Sequence, residues 1–211
     1  MRVTIFGATG RTGQELICQA LDRGYEVVAY VRDSRRVTAE NPRLTVVQGE
    51  LNNREALASA IKGSDCVLSA LGPMGKPSDT ELSDGIANIL SVMEECGVAR
   101  VIVLSTTSAQ DPQDIDSASA KRRRDMIKRG RPTSYEQIVL YSQLVRDSAS
   151  DWTLVRIASL LTNKPLSKKV TAGLVGKVDF RLKLSRADLA WFMLEQLENP
   201  EYLREAPALS N

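Results

Sequence analysis

The heptapeptide Gly7-Ala8-Thr9-Gly10-Arg11-Thr12-Gly13 constrains this chain more than any other feature. It follows the apolar run Val3 to Phe6 and precedes Leu16, Ile17, Ala20 and Leu21, which recur at helical spacing before Gly24 supplies a stop. Glycines at G-x-x-G-x-x-G spacing permit a tight strand-to-helix turn. They also let backbone N–H groups approach a diphosphate at the helix N-terminus. In this context the motif points to dinucleotide binding; a plain turn with no ligand is the bland alternative.

Strand and helix signals keep alternating beyond the turn. Glu26 to Val31, Leu44 to Val47, Cys66 to Leu71, Val101 to Leu104 and Trp152 to Val155 read as short continuous apolar strands. Arg54 to Ile61, Asp79 to Cys96 and Ser185 to Leu197 read as helices, as does a stretch opened by Ser134-Tyr135-Glu136-Gln137, which resembles a capping box. Continuous apolar strands suit a parallel sheet covered on both faces. The expected fold is α/β, a Rossmann-like doubly wound parallel sheet with helices on both faces, in a single domain over 1–211. Substrate-side elements are expected mainly in 106–185, which begins as a polar loop over 106–120.

The chain has no histidine, which excludes Ser-His-Asp and Cys-His catalysis and His-ligated metals. Cys18, Cys66 and Cys96 fit neither a disulfide framework nor a C-x-x-C site, so reduced and mostly buried thiols are expected, and no metal. No signal-peptide layout is visible, and no apolar stretch approaches the roughly 20 residues of a membrane helix. A cytoplasmic protein without a membrane partner is the expectation.

Residues 121–131 hold seven basic side chains and one acid in a chain whose net charge is only +2, so the remainder is net acidic. The segment reads as a solvated helix face, a lid near the substrate, or an anionic-partner surface. It carries no aromatic residue to stack on bases, and nucleic acid is not expected as a partner. Ser185-Arg186-Ala187-Asp188 reads as an N-cap with an acid three residues on.

The end of the second strand carries the choice of cofactor. NAD proteins usually place an acid there for the ribose hydroxyls. This chain reads Arg32-Asp33-Ser34-Arg35-Arg36, and guanidinium groups pair well with a 2′-phosphate. The reading is NADP(H), with Asp33 leaving room for NAD.

Four stretches carry a family resemblance: Ile5 to Gly13; Gly24-Tyr25-Glu26-Val27 leading to Val31-Arg32-Asp33-Ser34; Ser105-Thr106-Thr107-Ser108-Ala109; and Ser185 to Phe192. In their order and content the chain resembles the atypical short-chain dehydrogenase/reductases with an NAD(P)H-binding, NmrA-like domain. It is most similar to the biliverdin-IXβ reductase/flavin reductase group. The resemblance implies that Gly7, Thr9, Gly10, Arg11, Thr12 and Gly13 wrap the diphosphate. It implies that Arg32 and Arg36 meet the 2′-phosphate, and that Glu50 and Leu51 border the adenine, with Glu50 standing where the family usually has Asp. Leu71 and Gly72 would run along the cofactor. Thr106, Thr107 and Ser108 would lie beside the nicotinamide, with Ser108 matching the serine kept near hydride transfer; alternatively, its hydroxyl caps the loop.

The departures bear on chemistry. Tyr135 is followed four residues on by Val139 and Tyr141 by Val145, so the Tyr-x-x-x-Lys proton-donating pair is missing. Ser142 stands where the flavin reductase group often has a histidine, and Ile157-Ala158 replaces a family proline. The resemblance then implies an NADPH-dependent reductase passing a hydride to an electron-poor conjugated small molecule of flavin, quinone, imine or tetrapyrrole type. The alternative is a non-catalytic NADP(H)-binding redox sensor of the NmrA-like type. Homo-oligomerisation stays open.

Overall fold

The computed structural model describes residues 1–73, 81–158, 160–181 and 183–211. Among these, one eight-stranded sheet runs in the order β3-β2-β1-β4-β5-β6-β10-β8. Its strands are β1 (Arg2–Phe6), β2 (Glu26–Val31), β3 (Leu44–Gln48), β4 (Cys66–Ser69), β5 (Arg100–Thr106), β6 (Asp151–Ile157), β8 (Thr171–Gly173) and β10 (Ala208–Ser210). All pair in parallel except β8, which closes the edge antiparallel to β10. A separate parallel pair joins β7 (Leu160–Thr162) to β9 (Lys183–Ser185). The helices are α1 (Arg11–Asp22), α2 (Arg54–Ile61), α3 (Glu81–Glu95), α4 (Ala118–Gly130), α5 (Pro132–Asp147) and α6 (Arg186–Glu198). The Rossmann-like expectation therefore holds. The start of the expected third helix at Asp79 lies outside the described residues.

Strand residues alternate between two cores. Val3, Ile5, Val27, Ala29, Leu68, Ile102 and Val155 pack under α1 and α6. Phe6, Val28, Tyr30, Val67, Val101, Val103 and Leu154 pack under α2, α3 and α5. Strands buried on both faces are apolar throughout, which is why continuous runs marked them in the sequence. β3 escapes this pattern because it is an edge strand, with Thr45, Val46 and Gln48 exposed.

Three local readings change. Helix α5 begins at Pro132 with Arg131 as N-cap and no side-chain cap. Proline presets the first-turn φ and has no N–H to satisfy, so Ser134 falls inside the helix and forms no capping box. The loop after β5 ends at Ser117, whose side chain caps α4 by accepting from the Ala120 N–H, so the basic segment is helical nearly throughout. Cys18 is exposed, against the expectation of buried thiols; Cys66 is buried in β4, and burial pushes its thiol up to about 12.

The least expected element is Arg156, a fully buried arginine in β6. Its guanidinium forks onto Asp114 at 2.6 and 2.8 Å and also donates to the Ala206 and Ala109 carbonyls. Burial alone would push the Asp114 carboxyl up. The Arg156 guanidinium and backbone N–H groups outweigh that and hold it below the ordinary carboxylate range. Asp114 also accepts from the Val175 N–H, while the Ile115 N–H donates to Val175 O. The post-β5 loop is thus fastened to β6, to the segment before β10 and to the residues after β8.

Candidate functional site

The strand order reverses between β1 and β4, and ligands of doubly wound sheets bind outside the carboxyl ends of the strands at such a switch. The residues expected to form the site all gather at this edge. Gly7 leaves β1 with φ +71°, a left-handed conformation that L side chains rarely adopt, and a Cβ there would lie 2.8 Å from the Ala70 backbone. The missing side chain is what lets the turn close against the Ala70–Leu71 backbone just past the end of β4. Gly13 sits where a Cβ would come 2.2 Å from the Gly7 carbonyl oxygen, so helix α1 packs onto the turn only with glycine there.

Gly10 is the N-cap of α1, with no side chain to satisfy the first-turn donors and no acid in that turn. The N–H groups of Arg11, Thr12 and Gly13 are the first of the helix, and such uncapped donors at the positive end of a helix dipole suit an anion. Thr9 is half-buried, Arg11 exposed and Thr12 buried beside them. Gly72 faces open space, with nothing within 4 Å of where a Cβ would stand. The turn, the bare helix end and the open glycine together fit a dinucleotide diphosphate.

At the end of β2, Asp33 is already engaged. It accepts from the Arg35 backbone N–H and takes the Arg35 guanidinium on both oxygens, at 2.8 and 3.0 Å. That side-chain contact, opposed by desolvation, holds the Asp33 carboxyl below its ordinary value. Arg32 and Arg36 are exposed, and neither forms an ion pair among the described residues. Glu50 is exposed after β3. Leu51 beside it is held by contacts that sequence reading did not single out: Asn88 donates to its carbonyl at 3.0 Å, and Gly85 leaves the room its side chain occupies. Tyr30 donates to the Glu50 carbonyl at 2.8 Å, against Gly49, where a Cβ would collide with the phenol. A buried aromatic in an apolar strand gives no sequence signal of that role.

Thr106, Thr107 and Ser108 close β5. The Thr106 hydroxyl accepts from the Ser108 N–H at 3.1 Å, and the Thr107 N–H donates to Ile157 O across to β6. Thr106, not Ser108, therefore caps this turn. Ser108 is 2% exposed, and its hydroxyl has no hydrogen-bond partner among the described residues. Tyr141 lies in the core: its hydroxyl donates to Leu104 O at 3.0 Å, and burial pushes it up to about 12. Ser142 is buried against Ser105 at 2.8 Å. Tyr135 is half-buried in the first turn of α5, with the Lys128 ammonium 5.7 Å from its ring centre.

Asp188 is reassigned. Ser185 does cap α6, accepting from the Asp188 N–H at 3.4 Å. The Asp188 carboxylate, however, does not return to Ser185. Fully buried, it accepts from the Ser167 N–H and hydroxyl, the Lys168 N–H and the Asn211 amide. Ser185 donates in turn to Lys164 O at 2.7 Å. The motif pins the 163–169 strap across the ends of β7 and β9.

The model of a family described as NAD(P)H-binding matches residues 7–200. The chain belongs to the NAD(P)H-binding family. Its matched span covers the glycine turn, the arginines after β2, the β5 end and α6, in agreement with the resemblance read from the sequence. Among relatives of this NAD(P)H-binding chain, an uncharacterised Bacillus subtilis protein, YwnB, is 25% identical over 97% of this chain and 96% of its own length. A Streptomyces griseus (4-alkanoyl-5-oxo-2,5-dihydrofuran-3-yl)methyl phosphate reductase is 27% identical over 76% of this chain, which spans about half of that protein. The fold is shared with a Veillonella parvula short-chain dehydrogenase/reductase solved with NADP (TM-score 0.82, 20% identity, covering all of this chain and 94% of that one). It is shared also with the anaerobilin reductase ChuY of Escherichia coli O157:H7 (TM-score 0.80, 18% identity, covering all of this chain and 97% of that one). No helix among the described residues is long and apolar enough to cross a membrane.

Proposed function

We propose that this NAD(P)H-binding protein is an NADPH-dependent reductase acting on an electron-poor conjugated small molecule. The observation that carries the cofactor preference is the Arg35–Asp33 fork, which uses up the one acid at the end of β2 and leaves Arg32 and Arg36 for a 2′-phosphate. The bare N-terminus of α1 would hold the diphosphate, with Gly7, Thr9, Gly10, Arg11, Thr12 and Gly13 around it. Glu50 and Leu51 would border the adenine, and Leu71 and Gly72 the path toward Thr106 and Thr107. When bound, NADPH supplies a hydride.

Ser108 would orient the acceptor or the carboxamide with its free hydroxyl, a positioning role that supports catalysis through geometry. Tyr141 is engaged in the core and is no proton donor for the site. An acceptor whose extended π-system spreads the incoming charge has no need of a concerted acid, and water then supplies the proton. Reductase relatives and fold neighbours support this reading, among them one reductase of a phosphate-bearing dihydrofuranone and one of anaerobilin.

Titration of NADPH and NADH tests the cofactor assignment. Each charge-assisted contact to a phosphate contributes about 1.5–3 kcal/mol, so NADPH should bind at least about tenfold more tightly. Arg32→Ala should bring the two constants together by weakening NADPH alone. Equal affinities in the wild type would refute the preference.

A further inference from the structure

The turn that closes β5 is tied down through its main chain. The Thr107 N–H donates to Ile157 O at 3.2 Å, the Ser108 N–H to the Thr106 hydroxyl at 3.1 Å and the Ala109 N–H to Thr106 O at 3.1 Å. On the exit side, Ala109 O is taken by Arg156 Nη1 at 3.1 Å. Strand β6 delivers that guanidinium. Arg156 pairs in register with Ser105 and Ile157 with Thr106, so the arginine stands one residue short of the turn. Leu154 faces the core under α2, α3 and α5, and strand alternation puts Arg156 on that same side, where Ala109 and Ala206 are buried. Nη1 also meets Asp114 at 2.6 Å, Nη2 the other Asp114 oxygen at 2.8 Å and Nε the Ala206 carbonyl at 2.7 Å. Every nitrogen of the group is bonded, so it cannot turn away from Ala109 without breaking its other contacts.

A second arginine beside the same loop makes no such contact. Arg146 of α5 comes within 3.5 Å of Asp111 without a hydrogen bond, and its Nε and Nη2 are buried with no partner among the described residues. Of these two cations, only Arg156 is bonded to the main chain of the turn. Stability alone gives no reason for a buried ion pair there, because apolar side chains of like volume often serve as well or better. What an apolar side chain cannot do is hold a carbonyl at a set point. A planar guanidinium can tie two carbonyls and a carboxylate at once.

We propose that Arg156 is a positioning residue: through the Ala109 carbonyl it fixes the Thr106–Ala109 turn and so sets where the Ser108 hydroxyl stands. Ser108 spends its N–H inside the turn, and its hydroxyl has no partner among the described residues, so the main chain alone places it. The effect on turnover rests on the reductase reading above, whereas the brace itself does not. Small displacements of a positioning group are felt in rate.

Arg156→Lys tests this, since it keeps a cation beside Asp114 and gives up the planar fork. It should lower kcat on a responsive acceptor by no more than Ser108→Ala does, with KM for NADPH unchanged. The loss should vanish when Ser108 is already alanine, as expected of two groups acting through one another. Amide exchange followed by NMR should speed up several-fold at Ser108 and Ala109 relative to Ile5 of β1. Arg146→Met, which removes the neighbouring cation, should leave both readouts at the wild-type level. Should Arg156→Lys not fold, Asp114→Asn loosens the same fork and should show the same pattern to a smaller degree. A kcat loss that persists in full in the Ser108→Ala background overturns the proposal. Unchanged exchange at the turn overturns it too, as does an Arg146→Met loss as large as that of Arg156→Lys. Wild-type protein that oxidises NADPH with no acceptor refutes the reductase reading, and the exchange comparison then decides the brace by itself.

Discussion

The two ends of the sheet are built on different principles. Around β1 and β4 the backbone makes the candidate site: glycines at positions 7 and 13 let turn, strand and helix approach to distances no side chain would allow, and the donors are N–H groups. Around β5, β6 and β10 side chains make it. A buried Arg156–Asp114 pair, a buried Asp188 and a strained Lys168 hold loops that have little regular structure of their own. A site made by backbone leaves a spacing pattern in the sequence. A site made by long-range side-chain contacts does not, because Asp114 and Arg156 stand 42 residues apart and Asp188 reaches the strap across 21.

The contrast can be broken most forcefully at Arg156. Arg156→Met leaves a buried carboxylate without its counter-ion, and such a loss costs about 3–5 kcal/mol. In a chain of this size that lowers the melting temperature by roughly 6–20 °C. The pH dependence follows from the sign of the Asp114 shift. A carboxyl held below its ordinary value stabilises the fold above the unfolded value of about 4, and that contribution is lost as pH falls through the folded one. In the variant burial dominates and the carboxyl protonates more readily, so the deficit should be largest near neutrality and shrink toward pH 4. Thermal unfolding across that range checks it, and a deficit that does not change with pH would assign Arg156 to packing alone.

The backbone-built half should respond to single methyl groups. Gly7→Ala forces a left-handed conformation worth about 1–3 kcal/mol of strain and drives a Cβ into the Ala70 backbone. Both stability and nucleotide affinity should drop. Gly72→Ala adds a methyl group into open space, so unfolding should stay within about 0.5 kcal/mol of the wild type while NADPH binding weakens. Unchanged NADPH affinity in Gly72→Ala would move the cofactor path away from the end of β4.

Finer still is the pair Ser108→Ala and Tyr141→Phe. Ser108 keeps its hydroxyl free, whereas Tyr141 spends its own on Leu104 O. Ser108→Ala should lower kcat on a responsive acceptor several-fold or more with NADPH affinity and stability kept. Tyr141→Phe should remove one buried hydrogen bond, about 1 kcal/mol of stability, and leave kcat near the wild-type value. The reverse result would make the phenol the proton source.

How much of this the sequence disclosed follows the same division. The β1-turn-α1 unit, the parallel strands and α2 were legible because continuous apolar runs and glycine spacing are local signals. The edge strand β8 and its neighbour β10 were not, since three-residue strands carry too little pattern to stand out. The Ser134 capping box does not form, because Pro132 two residues earlier sets the helix start and overrides it. Asp188 has the i+3 spacing from Ser185 that fits a capping partner, yet the carboxylate is drawn instead to backbone N–H groups from a distant loop. Asp33 is the ambiguous acid at the end of β2, and only the Arg35 fork shows which way its oxygens are committed.

On the proposed function, NADPH bound at the glycine turn gives up its hydride to a second molecule held beside Thr106 to Ser108. Rapid-mixing turnover with stereospecifically deuterated 4-²H-NADPH, run against FMN, a quinone and a linear tetrapyrrole, tests it most directly. Expected are oxidation of NADPH by at least one acceptor, deuterium leaving the nicotinamide from a single face, and a slower step with the deuterated cofactor than with the protiated one. Tight NADPH binding with no oxidation by any of the three would contradict it and make the protein a nucleotide-binding sensor.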